Sequence, residues 1–431
     1  MDTLARWIEQ LADPARYPGE VESVQIYQTH ISIVCLAGED VYKLKKPVKL
    51  PFLDFSTAAL RKHFCEEEVR LNRRLCPEIY RGVVPLYEID DEVTFRPSAS
   101  AKIVDHAVLM VRLPHDRMLD HLLANDSVSE AEIRGLARHV VAFHKQADRG
   151  PEVLGAGAPT SLHREALANF EETQEFKETL FHSDLHDLLR KRTEVDFERW
   201  LPLLEERAGQ GFVVDGHGDL HARNICLTDP PTVYDCIEFS DRFRCEDVAT
   251  EHAFLVMDLR YREHACLAET YLEEIIARSG DDQLRCLMPM LVRYRAMVRA
   301  KVSAFTSAEV ECGGEVEQTA ALSARRHLNL AGITAVEDDG PLLILTCGVP
   351  GTGKTFLSEA LARESGWTYL ASDRVRKELA GIAAGASAPA SAYTEAFSAK
   401  TYCALLDRAC RALPTQPVII DANFRSRTDR E

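Results

Sequence analysis

The stretch from His217 to Asn224, with the sequence HGDLHARN, places an aspartate five residues before an asparagine. The carboxylate of Asp219 can accept or orient the proton of an attacking hydroxyl, and the amide of Asn224 can reach a Mg²⁺ ion. Positioning and charge neutralisation are most of what phosphoryl transfer requires from a protein. The alternative is a solvated loop that is simply rich in Asp, His and Asn.

Asp235 favours the catalytic interpretation of this loop. The short apolar run PTVY predicts a strand that ends at Asp235, where a kinase carries its second metal carboxylate. A lone HGD would leave the solvated loop as the better explanation, whereas HGDxxxxN followed by a strand-borne aspartate favours catalysis. We therefore predict that Asp219 is catalytic and that Asn224 and Asp235 are metal ligands.

The N-terminal third of the chain contains elements that could complete such a site. Alternating apolar residues predict strands over 24–27, 31–36 and 40–44, and an apolar face predicts a helix over 58–75. Lys43 lies on the third strand, where a kinase lysine contacts the α- and β-phosphates. This assignment depends on the register, because Lys45, Lys46 and Lys49 follow closely. On the helix we favour Glu68 over its two neighbouring glutamates as the partner of Lys43.

Further apolar patterns predict the elements that must hold these residues in place. Strands are predicted over 83–89 and 93–95, and a strand with a hinge between two lobes is predicted over 107–114. Helices are predicted over 3–13, 133–144 and 250–308, with apolar stripes that are typical of a core.

A second phosphate-binding pattern follows near the C-terminus. Residues 341–347 predict a buried strand, GVPGTGKT over 348–355 is a complete GxxxxGKT motif, and residues 356–364 predict a helix. The glycines let backbone N–H groups wrap phosphates at the start of that helix. The predicted nucleotide-binding residues are Gly348, Gly351, Gly353, Lys354 and Thr355, and the hydroxyl of Thr355 is also a predicted Mg²⁺ ligand.

Asp421 ends another predicted buried strand, VIID over 418–421. A carboxylate in this position has few purely structural explanations, because an unpaired buried charge is costly. We predict that Asp421 is the Walker B aspartate and holds the water shell of the Mg²⁺ ion.

Together these motifs resemble known families. His217–Asn224, Asp235 and Asp247 resemble the aminoglycoside phosphotransferase and choline kinase-like fold, in which a structural aspartate in a DVA-type turn follows the metal aspartate. The segments QTHIS (28–32), YKLKKP (42–47) and FLDFS (52–56) resemble a bacterial family of bifunctional aminoglycoside phosphotransferase/ATP-binding proteins. This resemblance covers essentially the whole chain. The segment YLASDRVR (369–376) resembles the acceptor-side motif of small P-loop kinases of the zeta-toxin and polynucleotide kinase type, which implies that Asp373 faces the substrate hydroxyl.

The resemblance implies an α/β fold in two parts. Residues 1–330 would form a bilobal, α+β protein kinase-like domain, and residues 338–431 would form a P-loop NTPase domain, with a break at 311–315. Small kinases of this type continue after the Walker B aspartate with a lid, so the second domain is predicted to be truncated at its C-terminus. The N-terminal lobe has no GxGxxG loop, and Thr29–Ser32 would have to cover the phosphates with N–H and hydroxyl groups instead.

Composition excludes several classes of function. The chain has 431 residues and a net charge of −17, which disfavours a general nucleic-acid binder and could suit a cationic small molecule. No apolar run approaches a membrane span and no signal peptide is evident. The 12 cysteines form no CxxC pair, which favours reduced thiols in a cytoplasmic protein.

These observations predict an ATP- and Mg²⁺-dependent phosphotransferase that acts on a hydroxyl of a small molecule. The acceptor stays open, and aminoglycosides are implied by resemblance only. One alternative is a nucleotide-binding regulator with a degenerate kinase half. Another is a kinase in which only the P-loop domain is active, on a nucleotide or a nucleic-acid end.

Overall fold

The computed structural model describes residues 3–50, 53–97, 101–309, 314–348, 351–383 and 386–424. The chain divides into two compact units, Met1–Ala168 with Glu194–Leu291, and Asn169–Thr193 with Val292–Glu431. None of the described helices combines the length and the apolar character that a membrane crossing requires.

This division differs from the sequence-based boundaries of 1–330 and 338–431. Residues 292–338 join the second unit because they pack on residues 169–193: the rings of Phe176 and Phe305 lie 5.4 Å apart, and Arg325 donates to the carbonyl of Leu180. The break predicted at 311–315 lies largely outside the described residues.

The first unit begins with a β-rich lobe. Its helices are α1 (Thr3–Leu11) and α2 (Ala58–Asn72), and its strands are β1 (Val24–Gln28), β2 (Ser32–Ala37), β3 (Asp40–Lys45), β4 (Lys49–Leu50), β5 (Leu53–Asp54), β6 (Tyr80–Ile89), β7 (Glu92–Thr94) and β8 (Lys102–Val111). Six strands form an antiparallel sheet in the order β1-β2-β3-β8-β6-β7, and β4 pairs with β5. The three predicted N-terminal strands and the helix at 58–75 are therefore present with slightly shifted ends.

The two faces of this sheet pack against different helices. On β3, Tyr42 and Leu44 enter a core cluster on the side of α1, whereas Val41 enters a cluster with α2 residues such as Cys65 and Val69. Because strand side chains alternate, Lys43 and Lys45 lie on the face of Val41 and point toward α2. Glu68 is buried on α2 between Cys65 and Val69 in sequence.

The remainder of the first unit is mainly helical. Its elements are α3 (Leu119–Ala124), α4 (Glu130–Gln146), α5 (Pro151–Ala156), α6 (Pro159–Glu172), α7 (Ser183–Gly209), β9 (Val213–Asp215), β10 (Ile225–Cys226), β11 (Thr232–Val233), α8 (Asp241–Arg244), β12 (Cys245–Asp247), α9 (Val248–Tyr261), α10 (Ala265–Ser279) and the start of α11 (Leu284–Glu309). Helices α6, α7 and α11 extend across the boundary between the units. The short strands β9 and β10 flank the HGDLHARN loop, and β11 leads to Asp235.

A fully buried arginine joins three segments of this helical part. Arg207 forms a bidentate pair with Asp247, with both N–O distances at 2.8 Å, and it also contacts Asp281 at 2.8 Å. Asp247 in turn accepts the N–H of Ala249 and caps helix α9. The aspartate that the family resemblance marked as structural therefore fixes the start of α9.

The second unit contains α12 (Glu315–Asp338), β13 (Leu343–Thr346), α13 (Lys354–Ser365), β14 (Thr368–Ala371), α14 (Ser372–Leu379), α15 (Glu395–Ala412) and β15 (Val418–Asp421). Its three strands form a parallel sheet in the order β13-β15-β14. The apolar residues of the central strand β15 pack with α14 and α15, in a cluster that includes Val375, Leu405 and Val418.

The prediction that residues 341–347 form a fully buried strand is wrong. In the described part of the chain β13 pairs with β15 on one side only, and Leu343 and Leu345 remain 39% and 37% exposed. An unbroken apolar run predicts burial on both faces, but the burial of a strand depends on which neighbouring elements cover it. The prediction for β15 is confirmed, since all four of its residues are buried.

We expect Arg207→Met to lower the free energy of unfolding of the full chain by about 3–5 kcal/mol, because two buried aspartates would lose their counter-charge. The measurement is a urea titration followed by circular dichroism. Arg285→Met is the control, because Arg285 and Glu269 form an ion pair with both side chains at least half exposed. The control should change stability by about 0–1 kcal/mol. Similar effects for both variants would contradict the structural role of Arg207.

Candidate active site

The catalytic-loop residues lie together in the first unit. Asn224 donates from Nδ2 to Oδ2 of Asp219 at 2.9 Å and to the carbonyl oxygen of Asp219 at 3.0 Å. The carboxylate of Asp219 is 32% exposed, and His221 Nε2 lies 3.3 Å from it. Asp219 can therefore meet a ligand from solvent while its orientation is held from within the loop.

His217 is a structural part of the loop. The N–H of Asp219 donates to its Nδ1 at 3.3 Å, so the other ring nitrogen, Nε2, must carry the proton that it donates to the carbonyl of Tyr234 at 2.9 Å. Burial lowers the pKa of His217, which agrees with a neutral ring in this arrangement. The next residue, Gly218, has a φ of +81°, and a Cβ there would lie 2.6 Å from the carbonyl oxygen of Phe243. The loop therefore needs glycine at this position.

Two buried carboxylates of α9 accept hydrogen bonds from the backbone of the loop. Glu251 accepts the N–H of His217 at 2.8 Å, and Asp258 accepts the N–H of Ala222 at 2.8 Å. Burial alone would raise the pKa of Glu251, but His144 at 3.3 Å and the His217 N–H hold it at about 2. Neither carboxylate is among the predicted site residues, although two acidic residues seven positions apart in an apolar helix are a signal that could have found them.

Lys43 connects the β-rich lobe to the segment that contains Asp235. Its Nζ lies 2.8 Å from Oε1 of Glu68 and also contacts Oδ1 of Asp235. Burial works against the charge of Lys43, but Asp235 and Glu68 hold its pKa well above the ordinary value. The structure thus brings the lysine and the glutamate chosen from the sequence into direct contact.

Lys45 makes a second, deeper contact with the same glutamate. Its Nζ lies 2.7 Å from Oε2 of Glu68 and also pairs with Glu238. Burial alone would raise the pKa of Glu68, but the two lysines lower it to about 2. Sequence reasoning treated Lys45 only as an alternative to Lys43 and did not consider Glu238. The spacing Lys-x-Lys on a strand could have indicated that both side chains face the same helix.

Asp235 and Asn224 have the donor chemistry of a Mg²⁺ site. Asp235 is 41% exposed and has a φ of +64°, and the adjoining N–H of Tyr234 donates to the carbonyl of Asn224 at 3.0 Å. With Nδ2 of Asn224 used by Asp219, its amide oxygen and the Asp235 carboxylate are the groups suited to a metal ion. Mg²⁺ commonly binds one or two carboxylates together with substrate phosphates. Within the described ranges, no cluster of three or more His, Cys, Asp and Glu forms a self-sufficient metal site.

The turn at Thr29–Ser32 is closed by hydrogen bonds within itself. Oγ1 of Thr29 accepts the N–H groups of Ile31 and Ser32, and the N–H of Thr29 donates to the carbonyl of Ser32 at 2.9 Å. These three N–H groups are engaged in the hydrogen bonds that close the turn between β1 and β2. The covering of phosphates by Thr29–Ser32 stays a prediction.

The second unit holds the P-loop residues at the start of α13. Gly348, Gly351 and Gly353 have φ values of +142°, +84° and +83°, which L side chains rarely adopt. Lys354 and Thr355 are the first two residues of the helix, and residues 349–350 of the motif lie outside the described residues. This strand–loop–helix order is the one that phosphate binding by backbone N–H groups requires.

Asp421 lies at the end of β15, next to the P-loop. Its Oδ2 accepts the hydroxyls of Thr355 at 2.6 Å and Tyr369 at 3.1 Å, and its Oδ1 accepts the hydroxyl of Thr346 at 3.2 Å. Contact between the Walker A threonine and a strand-end aspartate is the arrangement in which both can approach one Mg²⁺ ion. The residues present fit that ion, and the sequence analysis did not predict the contribution of Tyr369.

Asp373 lies at the start of α14, where its exposed carboxylate pairs with Lys377 at 2.8 Å. The neighbouring Arg374 pairs with Glu359 on α13 at 2.6 Å. Arg376 is buried and donates to the carbonyl of Ala392, so it holds the segment before α15 in place. Asp373 is accessible to a ligand, and its role as the acceptor-side residue stays a prediction.

The first unit holds the HGDLHARN loop with its charged partners, and the second unit holds a P-loop motif. Comparison with known proteins agrees with this: residues 343–431 match the family AAA_33, described as an AAA domain. Uncharacterized protein Rv2004c of Mycobacterium tuberculosis (strain H37Rv) and uncharacterized protein Mb2027c of Mycobacterium bovis are each 30% identical to this chain over 357 residues, which is 83% of this chain and 68% of each relative. The chain belongs to the same family as these mycobacterial proteins, and the predicted P-loop domain in the C-terminal part of the chain is confirmed.

Solved structures with a similar fold have low sequence identity to this chain. A GDP complex of wild-type aminoglycoside 2'-phosphotransferase-IIIa is 14% identical, with a TM-score of 0.48, and the match covers 76% of this chain and 99% of that one. An ethanolamine kinase of Plasmodium vivax is 12% identical, with a TM-score of 0.43, and the match covers 71% of this chain and 83% of that one.

We expect Gly218→Ala to lower the melting temperature more than Gly280→Ala. Both glycines have a positive φ, but a Cβ at Gly280 would meet nothing within 4 Å. The control therefore carries only the backbone strain of about 1 kcal/mol, whereas Gly218→Ala adds a clash with a backbone oxygen. Differential scanning fluorimetry of the full chain measures the difference. Equal shifts would show that the loop tolerates a side chain at 218.

Proposed function

We propose that the chain is an ATP- and Mg²⁺-dependent phosphotransferase that transfers the γ-phosphoryl group to a hydroxyl of a small molecule. The observation that carries the proposal is the connected set of contacts from Glu68 to Lys43 and Asp235, and from Tyr234 next to Asp235 through Asn224 to Asp219. These contacts hold Lys43, Asp235, Asn224 and Asp219 in one unit, which supports their proposed roles as phosphate clamp, two metal-binding groups and base. Phosphoryl transfer needs these groups in fixed relative positions.

Each residue has a definite task in this reaction. Lys43, held by Glu68, would bind the α- and β-phosphates, and its release from Asp235 would leave that carboxylate to face the metal. A Mg²⁺ ion held by Asn224 and Asp235 would neutralise charge on the β- and γ-phosphates. The exposed carboxylate of Asp219 would orient the acceptor hydroxyl and take its proton as the new P–O bond forms. The bond from the γ-phosphorus to the bridging oxygen breaks, and ADP leaves.

The P-loop unit provides a second nucleotide site in this proposal. Lys354 would neutralise the β- and γ-phosphates, and Thr355 and Asp421 would hold Mg²⁺ directly and through water. The hydrogen bond between Thr355 and Asp421 supports this assignment. Asp373 would face an acceptor if this unit also transfers a phosphoryl group. The cytoplasm, where ATP is available, is the proposed location.

We expect Asp219→Ala to lower acceptor-stimulated ATP consumption at least about 100-fold, the usual contribution of a positioned base. Purified full-length protein would be assayed with Mg²⁺, ATP and a panel of neutral and cationic hydroxylated small molecules. Chelation of Mg²⁺ should abolish the same activity.

Asp282→Ala is the matched control, since Asp282 is an exposed aspartate of the same unit. It should leave turnover unchanged. Stimulated turnover that survives Asp219→Ala and disappears in Lys354→Ala would contradict the proposal and identify the P-loop unit as the only enzyme. Nucleotide binding without turnover in any mixture would favour the regulator.

For the second site, we expect Lys354→Ala to remove one of two nucleotide-binding events per chain. The variant should lose this event because the β- and γ-phosphates would lose their main counter-charge. Isothermal titration with Mg²⁺ and a non-hydrolysable ATP analogue would give the stoichiometry. Lys400→Ala, an exposed lysine on α15, is the control and should retain both events. An unchanged stoichiometry in Lys354→Ala would refute nucleotide binding at the P-loop.

A further inference from the structure

The β-rich lobe contains a buried ion pair that the proposed reaction does not use. Lys45 pairs with Glu238, and the two side chains are 1% and 5% exposed. Lys45 also contacts Oε2 of Glu68, the glutamate whose Oε1 holds Lys43. Five charged side chains therefore form one continuous network that starts at Asp235 and ends at Glu238.

The two ends of this network differ in access to ligands. At one end, Asp235 is 41% exposed and Lys43 is 14% exposed, so a nucleotide and a metal ion can reach them. At the other end Lys45 lies 4.9 Å from the ring of Phe55, which has no exposed surface. Lys45 is closed off from solvent and does not have the access that a phosphate-binding residue needs.

Glu238, at the buried end of the network, lies on the same segment as the proposed metal ligand Asp235. Glu238 follows Asp235 by three residues, and the residues between them are held as well. The N–H of Cys236 donates to Asn72 of α2 at 2.9 Å, and the N–H of Ile237 donates to the carbonyl of His217 at 3.1 Å. The position of Glu238 therefore bears on the position of Asp235 and on the catalytic loop.

We propose that Lys45 and Glu238 are positioning residues of the nucleotide site: together they lock Glu68 and the 235–238 segment so that Lys43 and Asp235 meet Mg²⁺ and ATP in fixed positions. This inference rests on the proposed function of the first unit. If Lys45 is lost, one oxygen of Glu68 loses its partner and the buried Glu238 is repelled by Glu68. Substitution of residues that orient a metal ligand without touching the metal commonly lowers the affinity for the metal 10–100-fold.

The test measures binding, so it does not depend on the acceptor. In the Lys354→Ala background, which silences the P-loop site, the affinity for Mg²⁺ and a non-hydrolysable ATP analogue would be compared by calorimetry. The double variant Lys45→Met/Glu238→Gln removes both charges with little change in volume, so the buried site is left without an unpaired ion from this pair. We expect it to bind at least about tenfold more weakly than the background, with a melting temperature close to that of the background.

Two further variants separate positioning from a general effect of charge. Lys45→Arg keeps a donor for both glutamates and should bind within about threefold of the background. Lys49→Met removes a lysine from the same segment, where Lys49 forms an exposed pair with Asp54, and should bind like the background.

The possible outcomes are distinct. Binding by a folded double variant within about twofold of the background would overturn the positioning role and leave the proposed function intact. If the double variant does not fold, Glu238→Gln alone decides, because it keeps an acceptor for Lys45: weakened binding supports the role and unchanged binding overturns it. If the Lys354→Ala background itself binds no nucleotide, the proposed function of the first unit fails and this inference fails with it.

Discussion

Glu68 has no exposed surface, and its negative charge can remain there only because two lysines surround it. A buried carboxylate without partners would be strongly unfavourable, so the ion pairs constrain everything that supplies them. Strand β3 must present Lys43 and Lys45 on one face, and α2 must place Glu68 opposite both. The segment from Asp235 to Glu238 completes the pairing at each end. The position of the candidate metal ligand is in this way linked to the core of the β-rich lobe.

In the HGDLHARN loop, the residues that can meet a ligand differ from the residues that hold the loop in place. Asp219 and Asn224 are on an irregular segment that can approach a ligand, whereas the groups that hold this segment belong to a regular helix. Glu251 and Asp258 of α9 each accept a backbone N–H of the loop, and α9 is itself fixed by the pairing of Asp247 with Arg207. Irregular backbone needs such partners, because buried N–H groups that lack acceptors are destabilising.

The P-loop unit reaches its geometry by different means. The backbone supplies the site, with three glycines at positive φ ahead of α13. The carboxylate of Asp421 is satisfied by three hydroxyl groups and carries no ion pair among the described contacts of that side chain. Hydroxyl donors can turn toward a metal ion or water more easily than a buried lysine can leave its carboxylate.

Local sequence patterns are enough to predict the candidate site residues of this protein. The spacing in HGDLHARN, the strand before Asp235, the GxxxxGKT motif and the aspartate at the end of β15 are local patterns, and local backbone geometry largely decides what they can do. Alternation on β3 and the helical pattern of α2 narrowed the partners to a few lysines and glutamates, and Lys43 and Glu68 are in contact in the structure. The tertiary structure decided how many partners each charge has. It added Lys45 and Glu238 to the network, placed Glu251 and Asp258 against the loop and engaged three N–H groups of the 29–32 turn internally. In the described part of the chain it also left β13 paired on one side only. These outcomes depend on contacts between residues far apart in the chain, which residue spacing does not encode and which only packing and charge pairing in the folded state select.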